Sequence, residues 1–219
     1  MAKIVLDYMQ KNIYVVFNKN VDFEFMMSFE KIIYLDNSNF TGYISNATRF
    51  YSFGIMMPDM PNLEKLHISE LNTNKKFPNL KSLNIKCGNL RQICEQCPKL
   101  ETLKITENFE DIPEIIPVKK LLAISNSRIK ISGYFPNLTS LYAGIYVGVE
   151  NIECPKLVEL SVNRYTAINI KTLQSLSIRG YDHQEIKESF PELEKLDIKN
   201  YEYRLNNDLF PKLKKLIIS

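Results

Sequence analysis

Four cysteines and two histidines are the residues of this chain that could bind a metal or attack a substrate. Cys94-x-x-Cys97 has the spacing at which two thiolates grip one zinc ion, with Cys87 and Cys154 as further ligands of a tetrahedral set. A second closely spaced pair, which structural zinc sites of this type use, is missing. Cys97 and Cys154 each stand directly before a proline, where other stretches carry Met60, Phe77, Ile116, Phe135, Phe190 or Phe210. A free cysteine behaves as a small hydrophobe, so both read as core plugs and no metal or disulfide is expected. His67 and His183 lie far apart, and neither has a Ser or Cys nucleophile and an orienting acid at triad-like separation. Gly144 and Gly148 share a stretch of loop but form no phosphate-binding motif. No catalytic, cofactor-binding or metal-binding residue is assigned, no cofactor is implied, and a non-enzymatic role is expected.

Binding is what the remaining polar residues offer. Tyr146, Tyr165, Tyr181 and Tyr201 each fall eight residues after a leucine (Leu138, Leu157, Leu173, Leu193), and they hold that offset where the spacing of the leucines slips. Stacked rings can pack a turn, and an exposed row of tyrosines can grip a partner. A second set comprises Lys65, His67, Lys86, Lys104, Tyr142, Arg179, Lys195, Lys199 and Lys215, interspersed with small hydroxyls such as Ser69, Ser82, Ser125, Ser140, Ser161 and Ser177 and with Glu159 and Asp197. This set has meaning only if one face of some scaffold displays it.

The scaffold is written as a repeat. Pro78-Asn79-Leu80-Lys81-Ser82-Leu83-Asn84-Ile85 recurs in outline at Pro61, Pro98, Pro136, Pro155, Pro191 and Pro211. Two degenerate copies fill the gaps: one reads as Pro117, Lys119, Leu122 and Ile124, the other as Lys171, Leu173, Leu176 and Ile178. First-leucine positions run 63, 80, 100, 119, 138, 157, 173, 193 and 213, spaced 16 to 20 residues apart. The last two apolar residues of each phrase are two apart, the period of a strand with one buried face. The apolar residue before each proline should plug the core, and proline, lacking an N–H, ends the incoming segment. One copy alone buries four or five apolar side chains at roughly 1.5–3 kcal/mol each, too little to order some nineteen residues. Copies must therefore stack at about 4.8 Å into a parallel sheet.

This phrase resembles the leucine-rich repeat, Leu-x-x-Leu-x-Leu-x-x-Asn-x-Leu, over residues 61–219. The first three apolar positions match; the asparagine position is kept only at Asn108. The resemblance implies an α/β solenoid: a curved parallel sheet on the concave side, displaying the basic set above, and short irregular or 3₁₀ returns on the convex side. Gln92–Glu95 and His183–Glu188 could each supply a turn or two of helix. It also implies a protein–protein interaction module or adaptor, with no F-box-like segment ahead of the repeats. The alternative is an RNA- or ribonucleoprotein-associated protein using the lysines on phosphates; a net charge of +3 with only six arginines is a modest basic excess for that role.

Residues 1–60 form an N-terminal cap with degenerate repeats, and residues 61–219 hold about nine copies. Ile13–Phe17 and Val21–Phe25 read as a capping hairpin around Asn18-Lys19-Asn20; echoes of the phrase follow at Phe29, Ile32 and Tyr34 and at Phe50, Phe53 and Ile55. The sequence shows no C-terminal cap after Leu216-Ile217-Ile218, so a partner, a second copy or a further segment is expected to cover that strand edge. With 45% apolar residues the chain is well stocked for a core. It shows neither a secretion leader nor an apolar run long enough to span a bilayer, so no membrane contact and an intracellular, cytoplasmic setting are expected. The sequons at Asn39, Asn46 and Asn137 are about what 21 asparagines produce by chance. Replacing Tyr165 by Ala separates the two tyrosine roles: a loss of thermal stability marks packing, whereas lost partner binding at unchanged stability marks a binding strip.

Overall fold

Each regular copy begins with a hydrogen-bonded turn, and the residue types explain it. In Phe77-Pro78-Asn79-Leu80 the proline occupies the second turn position, where its fixed φ fits. The Leu80 amide donates to the Phe77 carbonyl at 3.2 Å, and the same bond joins Leu63 to Met60, Leu100 to Cys97, Leu138 to Phe135, Leu157 to Cys154, Leu193 to Phe190 and Leu213 to Phe210 at 3.0–3.4 Å. The chain leaves the turn directly into a strand. The computed structural model describes residues 13–16, 31–34, 49–52, 60–71, 74–107, 117–125, 128–164, 169–180, 185–199 and 205–219.

The chain divides into two units, residues 1–103 and 104–219. In the first, strands β1 (Ile13–Val16), β2 (Lys31–Tyr34), β3 (Arg49–Ser52), β4 (Lys65–Glu70) and β5 (Ser82–Cys87) pair in parallel in that order. Helix α1 (Leu90–Gln96) follows, capped where the Asn89 side chain accepts from the Gln92 amide at 3.1 Å. The boundary between the units falls within β6 (Thr102–Ile105).

The second unit holds β7 (Lys120–Ala123), β8 (Ile129–Tyr134), β9 (Ser140–Ala143), β10 (Val147–Glu153), β11 (Glu159–Val162), β12 (Ser175–Ile178), β13 (Lys195–Ile198), a 3₁₀ turn (Asn207–Leu209) and β14 (Lys215–Ile218). Its main sheet runs β7-β9-β11-β12-β13-β14, all parallel, and β8 pairs with β10 in a separate parallel pair. Register partners in the main sheets lie 16 to 20 residues apart, as in Glu159↔Ser175 and Lys195↔Lys215. Each unit is thus a parallel β-solenoid with very little helix.

Successive turns are tied by a carbonyl that serves two donors. The Glu64 carbonyl accepts from the amides of Lys81 and Ser82 at 2.9 and 3.0 Å, and the Lys81 carbonyl from Glu101 and Thr102, both at 2.9 Å. The Lys119, Thr139, Val158, Gln174 and Glu194 carbonyls repeat the pattern through the second unit. Because strand side chains alternate, this register stacks leucine on leucine. Leu83, Leu103, Leu141, Leu160, Leu176 and Leu196 are all buried, as are the residues two further on. The pre-proline plugs Met60, Phe77, Cys97, Phe135, Cys154, Phe190 and Phe210 are buried as expected, and the rings of Phe190 and Phe210 stack at 6.2 Å.

Several expectations need correction. The copy at Pro117 is shifted by one residue: Val118, Leu121 and Ala123 are buried, with Leu121 opposite Leu141 and Ala123 opposite Ala143. Leu122 and Ile124 therefore belong to the outward face, and Ser125 is buried instead of displayed. A period of two makes a one-residue slip exchange the faces. Phe50 pairs with Leu66, so it fills the second apolar position of its turn and not the first. The returns are not all irregular: in β8 and β10, Ile129, Ile131, Val147 and Val149 are buried by strict alternation. Of the expected hairpin, Ile13–Val16 is a strand paired in parallel with Lys31–Tyr34, and residues 21–25 lie outside the described residues.

The helical layer of the expected α/β class reduces, among the described residues, to α1 and one 3₁₀ turn. Helix α1 includes Gln92–Glu95, whereas 185–188 is not helical and His183 lies outside the described residues. No helix among the described residues is long and apolar enough to cross a membrane.

The register at β7 has a direct check. Leu121→Ala should cost about 2–4 kcal/mol, as expected for truncating a core leucine. Leu122→Ala should cost no more than roughly 0.5 kcal/mol. Denaturant unfolding of the two variants measures both, and the reverse ranking would put Leu122 in the core.

Candidate functional site

The alternation that buries one row of β4, β5, β6, β7, β9, β11, β12 and β13 presents the other, and the outward rows form the candidate site. In the first unit, Lys31, Arg49, Lys65 and Ser82 are successive register partners, and so are Ile33, Tyr51, His67 and Asn84. Lys65 is exposed and His67 half-buried. The His67 ring faces its neighbour, with Nδ1 3.4 Å from the Asn84 amide nitrogen. Lys86, just past Ile85, is half-buried beside them on β5.

In the second unit the first outward row reads Lys120, Ser140, Glu159, Ser175, Lys195 and Lys215, and the second reads Leu122, Tyr142, Ser161, Ser177, Asp197 and Ile217. Ile124, Gly144, Asn163, Arg179 and Lys199 follow at the strand ends, where each amide from Gly144 to Lys199 that is bonded across reaches the preceding turn, as in Gly144 to Ala123 at 2.8 Å and Lys199 to Ile178 at 3.0 Å. A Cβ at Gly144 would stand 3.3 Å from the Ile124 Cα, so glycine there allows the close approach. Lys104 is half-buried on the outward side of β6.

The rows are not uniform. At the β7–β9 end Leu122, Ile124 and Tyr142 are half-buried, and beyond them Ile145 and Tyr146 are 69% and 50% exposed. From β11 to β14 the face is hydroxylic and charged, with the cations Arg179, Lys195, Lys199 and Lys215 set among Glu159 and Asp197. One interaction joins the two regions. The Arg179 guanidinium lies over the Tyr142 ring, 5.3 Å from its centre, and its Nε donates weakly to the Ser177 hydroxyl at 3.4 Å. Ser161 lies between Tyr142 and Ser177 in register, and its Oγ is buried with no hydrogen-bond partner. A cation over an exposed ring contributes about 0.5–1 kcal/mol, which a competing contact can replace.

Of the residues singled out from sequence, the structure brings Tyr142 and Arg179 together and places Lys195, Lys199 and Lys215 on the same face. Lys65, His67 and Lys86 form a group of their own in the first unit. Tyr146 stands half exposed at the start of β10's turn; Tyr165, Tyr181 and Tyr201 lie outside the described residues. Leu122, Ile124 and Ile145 were not anticipated. The signal for the first two was present, since Val118-x-x-Leu121-x-Ala123 is an intact apolar phrase and the alternative required a lysine in the core.

The cysteines behave as packing. Cys97 and Cys154 are buried, and Cys87 donates to the Ser69 carbonyl at 3.7 Å. Burial pushes the Cys97 and Cys154 thiols up to about 12 and the Cys94 thiol to about 11, with smaller contributions from Cys94 at Cys97 and from Glu95 at Cys94. Such thiols are protonated at neutral pH and poorly nucleophilic. Among the described residues no three His, Cys, Asp or Glu side chains converge on a metal position. Comparison with protein-family models, with curated proteins and with solved structures gives no match. The class defined by the fold itself is a parallel β-solenoid with a patterned outward face.

The raised thiol values carry a sign. Below the ordinary thiol value of 9.0 both folded and unfolded chains keep these protons; above it the unfolded chain releases them while the folded chain holds them to about 11–12. Stability should therefore fall as pH rises from 9 toward 12. Cys154→Ala should show a shallower fall over that interval than the parent chain, read as the midpoint of thermal unfolding at each pH.

Proposed function

We propose that this chain is a non-enzymatic protein-binding module of leucine-rich-repeat type, whose partner docks on the outward sheet face of the second unit. The observation that carries the reading is the cluster of Leu122, Ile124 and Tyr142 at the β7–β9 end of a face whose other outward positions are mostly Ser, Lys, Arg and acidic residues, with Ile217 standing apart on β14. Solvent gives no reason to hold apolar and aromatic side chains there. Binding does, because interfaces combine an apolar and aromatic centre with a polar rim and draw much of their energy from Tyr and Arg. Arg179 on Tyr142 suits such a centre, since both are held in place before a partner arrives. The Leu-x-x-Leu-x-Ile phrase and the stacked parallel strands support the repeat type; the missing asparagine column and the short returns set it apart from the usual pattern.

A second reading, association with RNA or a ribonucleoprotein, is favoured by the register column Lys31, Arg49 and Lys65 in the first unit. Basic residue types at one register position of three neighbouring strands, which stand about 4.8 Å apart, suit a phosphate backbone. The cations of the second unit fit this less well, because Glu159 and Asp197 stand among them.

The test is affinity capture from the native cell with the parent chain and with Leu122→Lys, each with and without nuclease. A discrete protein should survive nuclease and be lost from Leu122→Lys, with binding weakening by tenfold or less from low to moderate salt. Partners released by nuclease, with affinity falling steeply and linearly in log salt, would move the function to the basic column.

A further inference from the structure

The outward face of the second unit carries one polar atom that the fold leaves without a bond. Ser161 is half-buried on β11, yet its Oγ is shut off from solvent and has no hydrogen-bond partner. A buried hydroxyl left unbonded costs stability, and alanine at this position would avoid the cost. In register Ser161 stands between Tyr142 and Ser177, and the Arg179 side chain reaches across β11 to lie over the Tyr142 ring.

Arg179 is held in that place from the backbone outward. Its amide donates to the Val162 carbonyl at 3.0 Å and the Gly180 amide to the Asn163 carbonyl at 2.7 Å. A Cβ at residue 180 would collide with that same Asn163 oxygen, so glycine is what lets the strand end close in. The Tyr142 ring takes the flat face of the guanidinium at 5.3 Å and Ser177 takes its Nε at 3.4 Å, which leaves the terminal N–H groups to point elsewhere. Other cations of this unit find acids, as in Lys130 to Glu150 at 2.9 Å and Lys214 to Glu194 at 2.8 Å. No carboxylate among the described residues pairs with Arg179.

Charge and spacing specify what would fit. A planar carboxylate can accept two guanidinium N–H bonds in parallel and a third from a serine hydroxyl. Cations outnumber the acids Glu159 and Asp197 on this face, which favours an acidic partner; Asp197, next in the row after Ser177, makes a doubly charged phosphate a poorer match than a carboxylate. Leu122 precedes Tyr142 in the same row, one strand spacing of about 4.8 Å away, so the guanidinium over Tyr142 is about two extended residues from Leu122. We infer that the partner segment, on the protein-binding reading above on which this rests, is extended and carries apolar-x-acid. Its apolar side chain covers Leu122 and Ile124, and its Asp or Glu carboxylate accepts from the Arg179 terminal nitrogens and the Ser161 hydroxyl.

The probe is a phage-displayed library of short random peptides selected on the full chain. Peptides with an apolar residue two places before Asp or Glu should be enriched, and a synthetic copy of one should bind roughly tenfold more weakly when its acid is replaced by the amide. Ser161→Ala should weaken the acidic peptide roughly threefold without lowering the midpoint of thermal unfolding. Arg179→Glu should turn the selection toward Lys or Arg at the place of the acid, and that recovered binding shows the variant to be folded. No enrichment, equal affinity for the acid and amide peptides, an affinity that Ser161→Ala leaves untouched, or tighter binding of a phosphoserine peptide overturns the inference. Selected peptides that lack the acid but are lost from Leu122→Lys overturn it while the protein-binding reading stands; peptides held equally by Leu122→Lys and the parent chain sink both.

Discussion

The structure rests on one arrangement of hydrogen bonds: the carbonyl just before β4, β5, β7, β9, β11, β12 and β13 accepts two amides from the next turn. That three-centre contact sits between the proline turn and the strand, and so it determines how far along the next chain segment the strand begins. From it follow the in-register leucines, the plug under each proline and the separation of an inward from an outward row. No turn could hold this geometry alone, since its apolar residues find their burial only against the turns before and after. Sequence enters at two points, a proline that makes the chain reverse and an apolar pair two residues apart that chooses a face.

The same logic explains what was legible. Wherever Φ-Pro-x-Leu was complete, as at Phe77–Leu80 or Phe190–Leu193, the residue types alone indicated turn, plug and strand. At Pro117 the phrase is one residue shorter between proline and first apolar residue, and anchoring the alignment on proline moved Leu121 and Leu122 to each other's face. The apolar side chains were the better anchor, because burial constrains them more strongly than the turn constrains the proline. Phe50 went astray for a related reason: with no proline nearby, an isolated aromatic suits any apolar position. The β8–β10 pair was hidden by its context, since Ile129–Ile131 and Val147–Val149 alternate only briefly and fall in returns whose partners are one turn away.

The candidate site was half legible. Lys195, Lys199, Lys215, Tyr142 and Arg179 could be placed on the outward face by parity alone. That Arg179 reaches across β11 to Tyr142 depends on side-chain length and on the small Ser161 between them, which parity does not report. The apolar character of the β7–β9 end emerged only with the corrected register, so one residue of alignment separated a bland surface from a patterned one.

The unequal lengths of the turns bear on how such a chain can change over evolutionary time. Partners lie 16 residues apart at β11–β12 but 20 apart at β12–β13, and the sheet is parallel across both. All of that difference is absorbed in the returns, which behave as slack. The strand phrase has none, for a single inserted residue there would exchange the two faces of every strand position after it within that turn. Insertions and deletions should accumulate opposite the sheet, and whole turns can be gained or lost, while the lining of the face alters only by substitution. The molecule is a ruler with fixed marks and elastic spaces between them.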